Sequence, residues 1–397
     1  MQKSPHKRLD FVDGLRAICA LWVMLGHAHL FAYGWQSHQS LLTKPLDILL
    51  YLELAVVVFL VISGFSLALP IVHNANRLNV SVSAFFVGRA RRILPPYYAI
   101  LSLIMFVNFF VPVAAWGRHS AGLSADIPWQ VWLTNYTLMQ DFFPQYSTVN
   151  GPFWSIAIEW HIYFLLPLLA LILARLGGLL FLPVALALAA AIEWFAMHPP
   201  QFVQSLNMAI LHPSYFVFLF VMGIFAAWMA FGYRKSFGWP EKLGMLVFTA
   251  GVGGFLLTQL LQYPINDFTS AMKFADHSRT INLAFAPLAA ILLLWLVRGE
   301  SRVKRFCVSA FESKKLVRIG HFSYSLYLVH IPILAIVNHL IENLRLSSNL
   351  THLHFALLVV IGGGISLSFA YYFSRMFETM KWLELIKAAS RRLKKAA

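Results

Sequence analysis

Ten stretches of this sequence are apolar for about the length needed to cross a lipid bilayer. They lie near residues 11–31, 48–70, 94–115, 152–174, 179–197, 213–231, 243–262, 281–297, 321–341 and 353–374. A hydrocarbon layer about 30 Å thick is crossed by about 20 residues rising about 1.5 Å each, so such runs read as membrane-spanning helices. The alternating segments of about ten residues that build a β-barrel are a different pattern. At 59% hydrophobic and 12% charged, the chain is also far more apolar than a soluble core requires. The expected architecture is an all-α integral membrane protein, a bundle of about ten transmembrane helices. Asp10, Asp13 and Arg16 interrupt the first run, which favours a retained span over a cleaved signal peptide.

Lysine and arginine set the orientation. Alternate connections, together with the two termini, hold 25 of the 31 basic residues; the other connections hold five, and Arg16 lies inside the first span. Both termini are therefore expected to be cytoplasmic, because positive charge accumulates on that side. The net charge of +15 is then a topology signal, not a sign of nucleic-acid binding. Residues 1–376 read as one membrane domain and 377–397 as a basic cytoplasmic tail attracted to anionic lipid. Cys19 and Cys307 offer no disulfide framework and read as packing residues. The longest outer connection, 116–151, carries Trp116, Trp129, Trp132, Tyr136, Phe142, Phe143 and Tyr146. These suit an aromatic belt at the membrane surface or a platform for stacking sugars.

Ionisable groups inside a bilayer are costly and usually face a bundle interior or a polar cavity. Arg16 and His27 are ten residues apart, so on a helix they differ by only about 20° in direction and lie about 16 Å apart along one face. Depths counted along each span place His27, Glu53 and Glu159 in an outer cluster and Arg16 and Ser63 in an inner one, with His330 near mid-depth. Structural readings compete with functional ones. Arg16 and Asp13 suit an i,i+3 bridge, Ser63-Gly64 a close-packing site, Glu53 an interface residue and His330 a helix–helix hydrogen-bond partner. Several costly groups ordered by depth nevertheless argue for a polar path. The Arg16–His27 stripe has no second copy, which counts against an inverted-repeat transporter.

On the cytoplasmic side runs Gly88-Arg89-Ala-Arg91-Arg92-Ile-Leu-Pro95-Pro96-Tyr97-Tyr98. Arg89 and Arg92 project from one side of a helical turn, and the prolines suit the start of the third span. Guanidinium forks match phosphate geometry, so the pair is a candidate cradle for an anionic phosphorylated ligand, beside the plainer reading of charges that mark the inner side. The histidines are scattered without paired ligand spacing, and no metal site is expected.

Five segments together resemble the acyltransferase type 3 family of membrane acyltransferases: Arg16-x10-His27; Phe59-Leu-Val-Ile-Ser63-Gly64-Phe65; Arg89-x-x-Arg92-Ile-x-Pro95; Phe153-Trp154-Ser155-Ile-Ala-Ile-Glu159-Trp-His-Ile-Tyr163; and Gly320-His-Phe-Ser323-Tyr324-Ser325-Leu-Tyr327-Leu-Val-His330. Members commonly carry an acidic residue where this chain has Val57; Glu53, one turn earlier on the same face, is the candidate substitute. Longer members append an SGNH-type hydrolase domain, which is not expected here. The resemblance implies transfer of an acyl group, often acetyl, from cytoplasmic acyl-CoA to a hydroxyl of a carbohydrate or glycolipid in a bacterial cytoplasmic (inner) membrane. Acyl-CoA would be a co-substrate, with no permanently bound cofactor. In that scheme Arg89 and Arg92 hold donor phosphates, Arg16 and Ser63 flank the pantetheine arm, and His27 is the general base oriented by Glu159. Arg16 as oxyanion stabiliser and an acyl-histidine intermediate are alternatives. Glu53, Tyr163, Ser323, Tyr324 and His330 are candidates for the pore or acceptor side. A transporter or flippase for a polar lipid or sugar is the rival reading, and a noncatalytic sensor or scaffold the next.

Overall fold

The computed structural model describes residues 9–35, 44–110, 127–143, 149–205, 215–233, 239–346 and 350–379, and the regular structure among them is helical throughout. The 116–126 part of the aromatic connection, Tyr146 and residues 380–397 of the basic tail lie outside the described residues. Helix α1 spans Asp10–Tyr33; a 3-10 segment, Lys44–Leu50, leads into α2, Leu52–His73; α3 is Val82–Phe110 and α4 is Trp129–Tyr136. Then come α5 (Phe153–Met197), α6 (Gln201–Ser205) and α7 (Phe216–Ala227), the last extended by a wider turn through Gly232. Helices α8 (Trp239–Gln262) and α9 (Phe268–Arg298) precede two short ones, α10 (Arg302–Phe311) and α11 (Lys314–His321). The chain closes with α12 (Ser323–Asn343), α13 (Thr351–Leu357) and α14 (Gly363–Phe377), the last two joined by a wide turn into one membrane-length rod.

Eight helical segments are long and apolar enough to span, and Phe216–Gly232 is a shorter apolar one. The two expected spans at 152–174 and 179–197 fall in α5, whose 45 residues would reach about 67 Å if straight. Gly177 breaks it with φ 71° and ψ 168°. Gly178 sits against the Trp228 ring at the end of α7 that Arg298 caps, whereas Glu193 pairs with Arg279 at 2.9 Å, about 28 Å back along α9 from Arg298. The chain therefore reverses at Gly177, where a left-handed backbone suits glycine, and α5 supplies both spans.

Two boundaries differ from expectation. Helix α3 begins at Val82, not near 94, so Arg89 and Arg92 are inside it and Pro95-Pro96 are interior instead of first-turn residues. Proline has no N–H, so Pro95 and Pro96 leave the Arg91 and Arg92 carbonyls without their helical donors; one residue on, Tyr324 donates its hydroxyl to the Ile93 carbonyl at 3.1 Å. The second difference is the described part of the 116–151 connection, which does not stay at the surface. Tyr97 donates to the Asn135 carbonyl at 2.8 Å, Gln140 to the Phe153 carbonyl at 3.2 Å and Asn150 to the Leu328 carbonyl at 2.8 Å. Tyr97 and Leu328 lie about 20 Å along their helices from Phe110 and Asn343, so this polar segment dips into the bundle. Trp129 is exposed, but Asn135, Gln140, Asp141 and Asn150 are buried.

Glycines set the close crossing of α2 and α7. A Cβ on Gly64 would lie 2.1 Å from the Phe220 carbonyl oxygen, and one on Gly223 2.0 Å from that of Val61. Small residues let α2 and α7 approach backbone to backbone, the geometry expected where van der Waals packing drives association in lipid. Gly64→Ala is expected to cost about 2 kcal/mol by overpacking and to lower the detergent melting temperature; an unchanged Tm would contradict this packing.

Candidate active site

A cavity of about 800 Å³ enters the bundle from the face bearing Arg89 and Arg92. Its wall on α2 runs from His73 to Val56, a depth of about 26 Å. Arg89 and Arg92 stand at the mouth; Asp13, Arg16, Ser63, Ser66, Glu159, Tyr163, Ser323 and Tyr324 follow, and Val56, Phe59, Ser155 and Tyr327 form the far end. Seven of the candidate residues named from the sequence thus share one wall with Arg16: Ser63, Arg89, Arg92, Glu159, Tyr163, Ser323 and Tyr324.

Arg16 makes the expected i,i+3 bridge, Nη1 to Asp13 Oδ1 at 3.1 Å, and Nη2 also donates to Ser66 Oγ at 2.8 Å on α2. Asp13 is held in turn by close backbone contact, since a Cβ on Gly320 of α11 would lie 2.0 Å from its carbonyl oxygen. The bridge is structural, yet it presents the guanidinium to the cavity. Glu159 departs from expectation. Its Oε1 accepts from Ser63 Oγ at 2.6 Å and from the Tyr163 hydroxyl at 2.5 Å, while Oε2 makes no hydrogen bond to a described residue. Glu159 therefore belongs to the inner cluster with Ser63. The fourth span does not start at the membrane surface: the described residues 134–143 and 149–150 before it are hydrogen-bonded within the bundle.

Nor does Glu159 hydrogen-bond His27. The partner is His330, whose Nε2 lies 3.2 Å from His27 Nδ1, with ring centroids 5.0 Å apart. Backbone carbonyls only accept, so Nδ1–H of His330 donates to Leu326 at 3.1 Å and Nδ1–H of His27 to Val23 at 2.8 Å. This network assigns both tautomers. The lone pair on His330 Nε2 then faces the shared His27 proton, and His27 Nε2 carries the lone pair available for base chemistry. Neither histidine lines the cavity, whose far end stops at Tyr327, ring centroid 6.0 Å from His330.

Glu53 stands apart from both groups. It accepts from Asn282 Nδ2 at 2.6 Å and from the Tyr215 hydroxyl at 3.2 Å, tying α2 to α7 and α9. The expected outer cluster is thus three separate sites, because His27, Glu53 and Glu159 each face a different neighbouring helix.

Other residues at the site carried no role in the sequence reading. Ser66 follows Ser63 by three residues on the same face, a spacing that could have revealed it. The Ser155–Tyr327 pair, 2.8 Å between hydroxyls, joins two of the quoted motifs across 172 residues. Asp141 pairs with His161 at 2.8 Å and straps the re-entrant segment to α5. Glu378 accepts from the backbone N–H and hydroxyl of Ser325 at the start of α12. Burial raises its carboxyl above the ordinary range, opposed by those hydrogen bonds and by the Arg92 guanidinium.

A deep cavity with arginines in its lining and an imidazole pair just beyond Tyr327 defines a helical membrane protein with an internal site. The comparisons with known proteins give its family. The acyltransferase domain family (Acyl_transf_3) matches residues 9–375. The chain belongs to that family and is an integral-membrane O-acyltransferase. It is 26% identical over 288 residues to the exopolysaccharide production protein ExoZ of Rhizobium meliloti (strain 1021), covering 70% of this chain and 76% of the relative. It is 25% identical over 341 residues to the acyltransferase MdmB of Streptomyces mycarofaciens, covering 82% and 79% respectively. No solved structure matches it.

Proposed function

We propose that the protein moves an acyl group, acetyl in the first place, from acyl-CoA to a hydroxyl of a carbohydrate or glycolipid, with His27 as general base. The observation that carries this reading is the cavity itself. It is narrow and about 26 Å deep, it opens among Arg89 and Arg92, and it ends one aromatic side chain short of the His27–His330 pair. Acyl-CoA is a long ligand with phosphates at one end and a thioester at the other, and it fits such a shaft only with the phosphates at the arginines. Ser63 and Tyr163, held by Glu159, line its middle as hydrogen-bonding groups for the amide-bearing arm. The charge bias supports a cytoplasmic mouth, where acyl-CoA is available, and a bacterial inner membrane is the setting that fits this reading. ExoZ, by its name a protein of exopolysaccharide production, supports a carbohydrate acceptor.

In the reaction, the acceptor hydroxyl attacks the thioester carbonyl as His27 Nε2 takes its proton. The C–O bond forms, the tetrahedral oxyanion collapses and the C–S bond breaks. The thiolate of coenzyme A then recovers the proton from His27. His330 holds the imidazole through the shared Nδ1 proton, the role first assigned to Glu159.

The test is purified protein in lipid vesicles with acyl-labelled acyl-CoA and candidate glycans. Label recovered covalently on the glycan, with free coenzyme A released in equal amount, is the expected result. An intact solute that changes sides without acquiring label would support a flippase instead.

A further inference from the structure

The far end of the cavity is built differently from the rest of its wall. From the mouth to Ser63 and Glu159 polar and apolar groups alternate along the wall, whereas beyond Ser63 every residue that α2 turns to it is apolar: Leu60, Phe59 and Val56. The Phe59 ring meets the Tyr327 ring edge to face, centroids 5.8 Å apart at 69°. Tyr327 is held there by its hydroxyl contact with Ser155, and Ser155 Oγ donates to the Pro152 carbonyl at 3.1 Å. Two aromatic rings, one of them latched across helices, thus close an apolar pocket in front of the histidine pair. A thioester delivered by a donor lying in the shaft brings its acyl chain to this wall.

We propose that Phe59 and Tyr327 are the specificity-determining residues that limit the donor to a short acyl chain. The proposal rests on the reading of the cavity as the acyl-CoA site. The physical reason is steric. Packed interiors yield little to added methylenes, so each carbon beyond the space before the wall must displace a ring or bend the chain back into the polar shaft. Phe59 is the residue to change, because it is half-buried and faces the cavity without a hydrogen bond, whereas Tyr327 is nearly fully buried in the core.

The experiment is competition of acetyl-, butyryl-, hexanoyl- and octanoyl-CoA against labelled free coenzyme A on the full-length protein in nanodiscs, for wild type, Phe59→Ala and Phe59→Leu. In wild type, affinity relative to free coenzyme A is expected to fall with chain length. In Phe59→Ala the octanoyl-to-acetyl affinity ratio is expected to rise at least tenfold, with Phe59→Leu between the two. Phe59→Leu keeps most of the volume, so it answers even where the alanine variant fails to fold. A ratio unmoved in a variant that still binds coenzyme A would overturn the wall and leave the donor site standing. Failure of wild type to bind any coenzyme A species would overturn both, and free coenzyme A as reference ligand separates the two failures.

Discussion

Replacing His27 with alanine is expected to lower turnover about 10³-fold, within the range a positioned general base contributes, while the Michaelis constant for the acyl donor moves less than twofold. The split follows from where the residue sits. His27 is absent from the cavity wall, so its loss removes the acceptor of the hydroxyl proton without touching the ground-state donor. A defect confined to kcat is the signature of an interaction made in the transition state. His330→Ala is expected to act in the same direction but more weakly, about tenfold, because it leaves the base in place and removes the group that fixes its ring. His330→Gln, whose amide oxygen can accept the shared Nδ1 proton, should recover part of that loss, which a merely structural defect would not. Steady-state kinetics on protein that elutes as a folded monodisperse peak provides the check. Full turnover in His27→Ala would remove the residue from the mechanism.

The same two histidines show which parts of the site were legible. That Arg16 and His27 share a face follows from one helix alone, since angular separation is a local property of the backbone, and both side chains do turn into the bundle. Arg16 reaches Ser66 on α2 and His27 reaches His330 on α12. Which partner each one meets depends on the neighbouring helix, and spacing along one chain segment holds no record of that. Span positions were legible for a similar reason, because hydropathy reports the solvent around each segment. The reversal at Gly177 shows the limit: both arms of α5 are apolar, and only contacts at Trp228 and Arg279 reveal that they run in opposite directions. Glu159 was placed too near the opposite face for a related reason. Counting depth from the first apolar residue presumes that loops stay outside, whereas buried Asn135, Gln140 and Asn150 each donate a side-chain amide hydrogen bond within the bundle, and the start of α5 lies inward with them. Polar composition made that segment look like surface, and tertiary hydrogen bonds overrode it.

The paired change Arg89→Ala with Arg92→Ala is expected to produce the mirror image of the His27 phenotype: a donor Michaelis constant raised about 10²-fold or more, with kcat at saturating donor nearly unchanged. A hydrogen bond to a charged group contributes about 1.5–3 kcal/mol, and each 1.4 kcal/mol is about tenfold in affinity, so losing two phosphate contacts accounts for the magnitude. Neither arginine hydrogen-bonds Tyr327 or the histidines, which is why chemistry should be spared once the donor is bound. Arg91 supplies the internal control. It lies between them on α3 and is exposed but does not line the cavity, so Arg91→Ala should shift the constant less than threefold. A general basic surface that merely attracts anions would instead respond equally to all three. Ionic strength separates the cases further. Because the mouth arginines are partly solvated, the wild-type donor constant should rise with salt, and the double variant should lose most of that dependence. An equal effect of Arg91→Ala, or a kcat that falls together with the affinity, would move the phosphate site away from Arg89 and Arg92 and leave the direction of donor entry to be assigned to another face of the bundle.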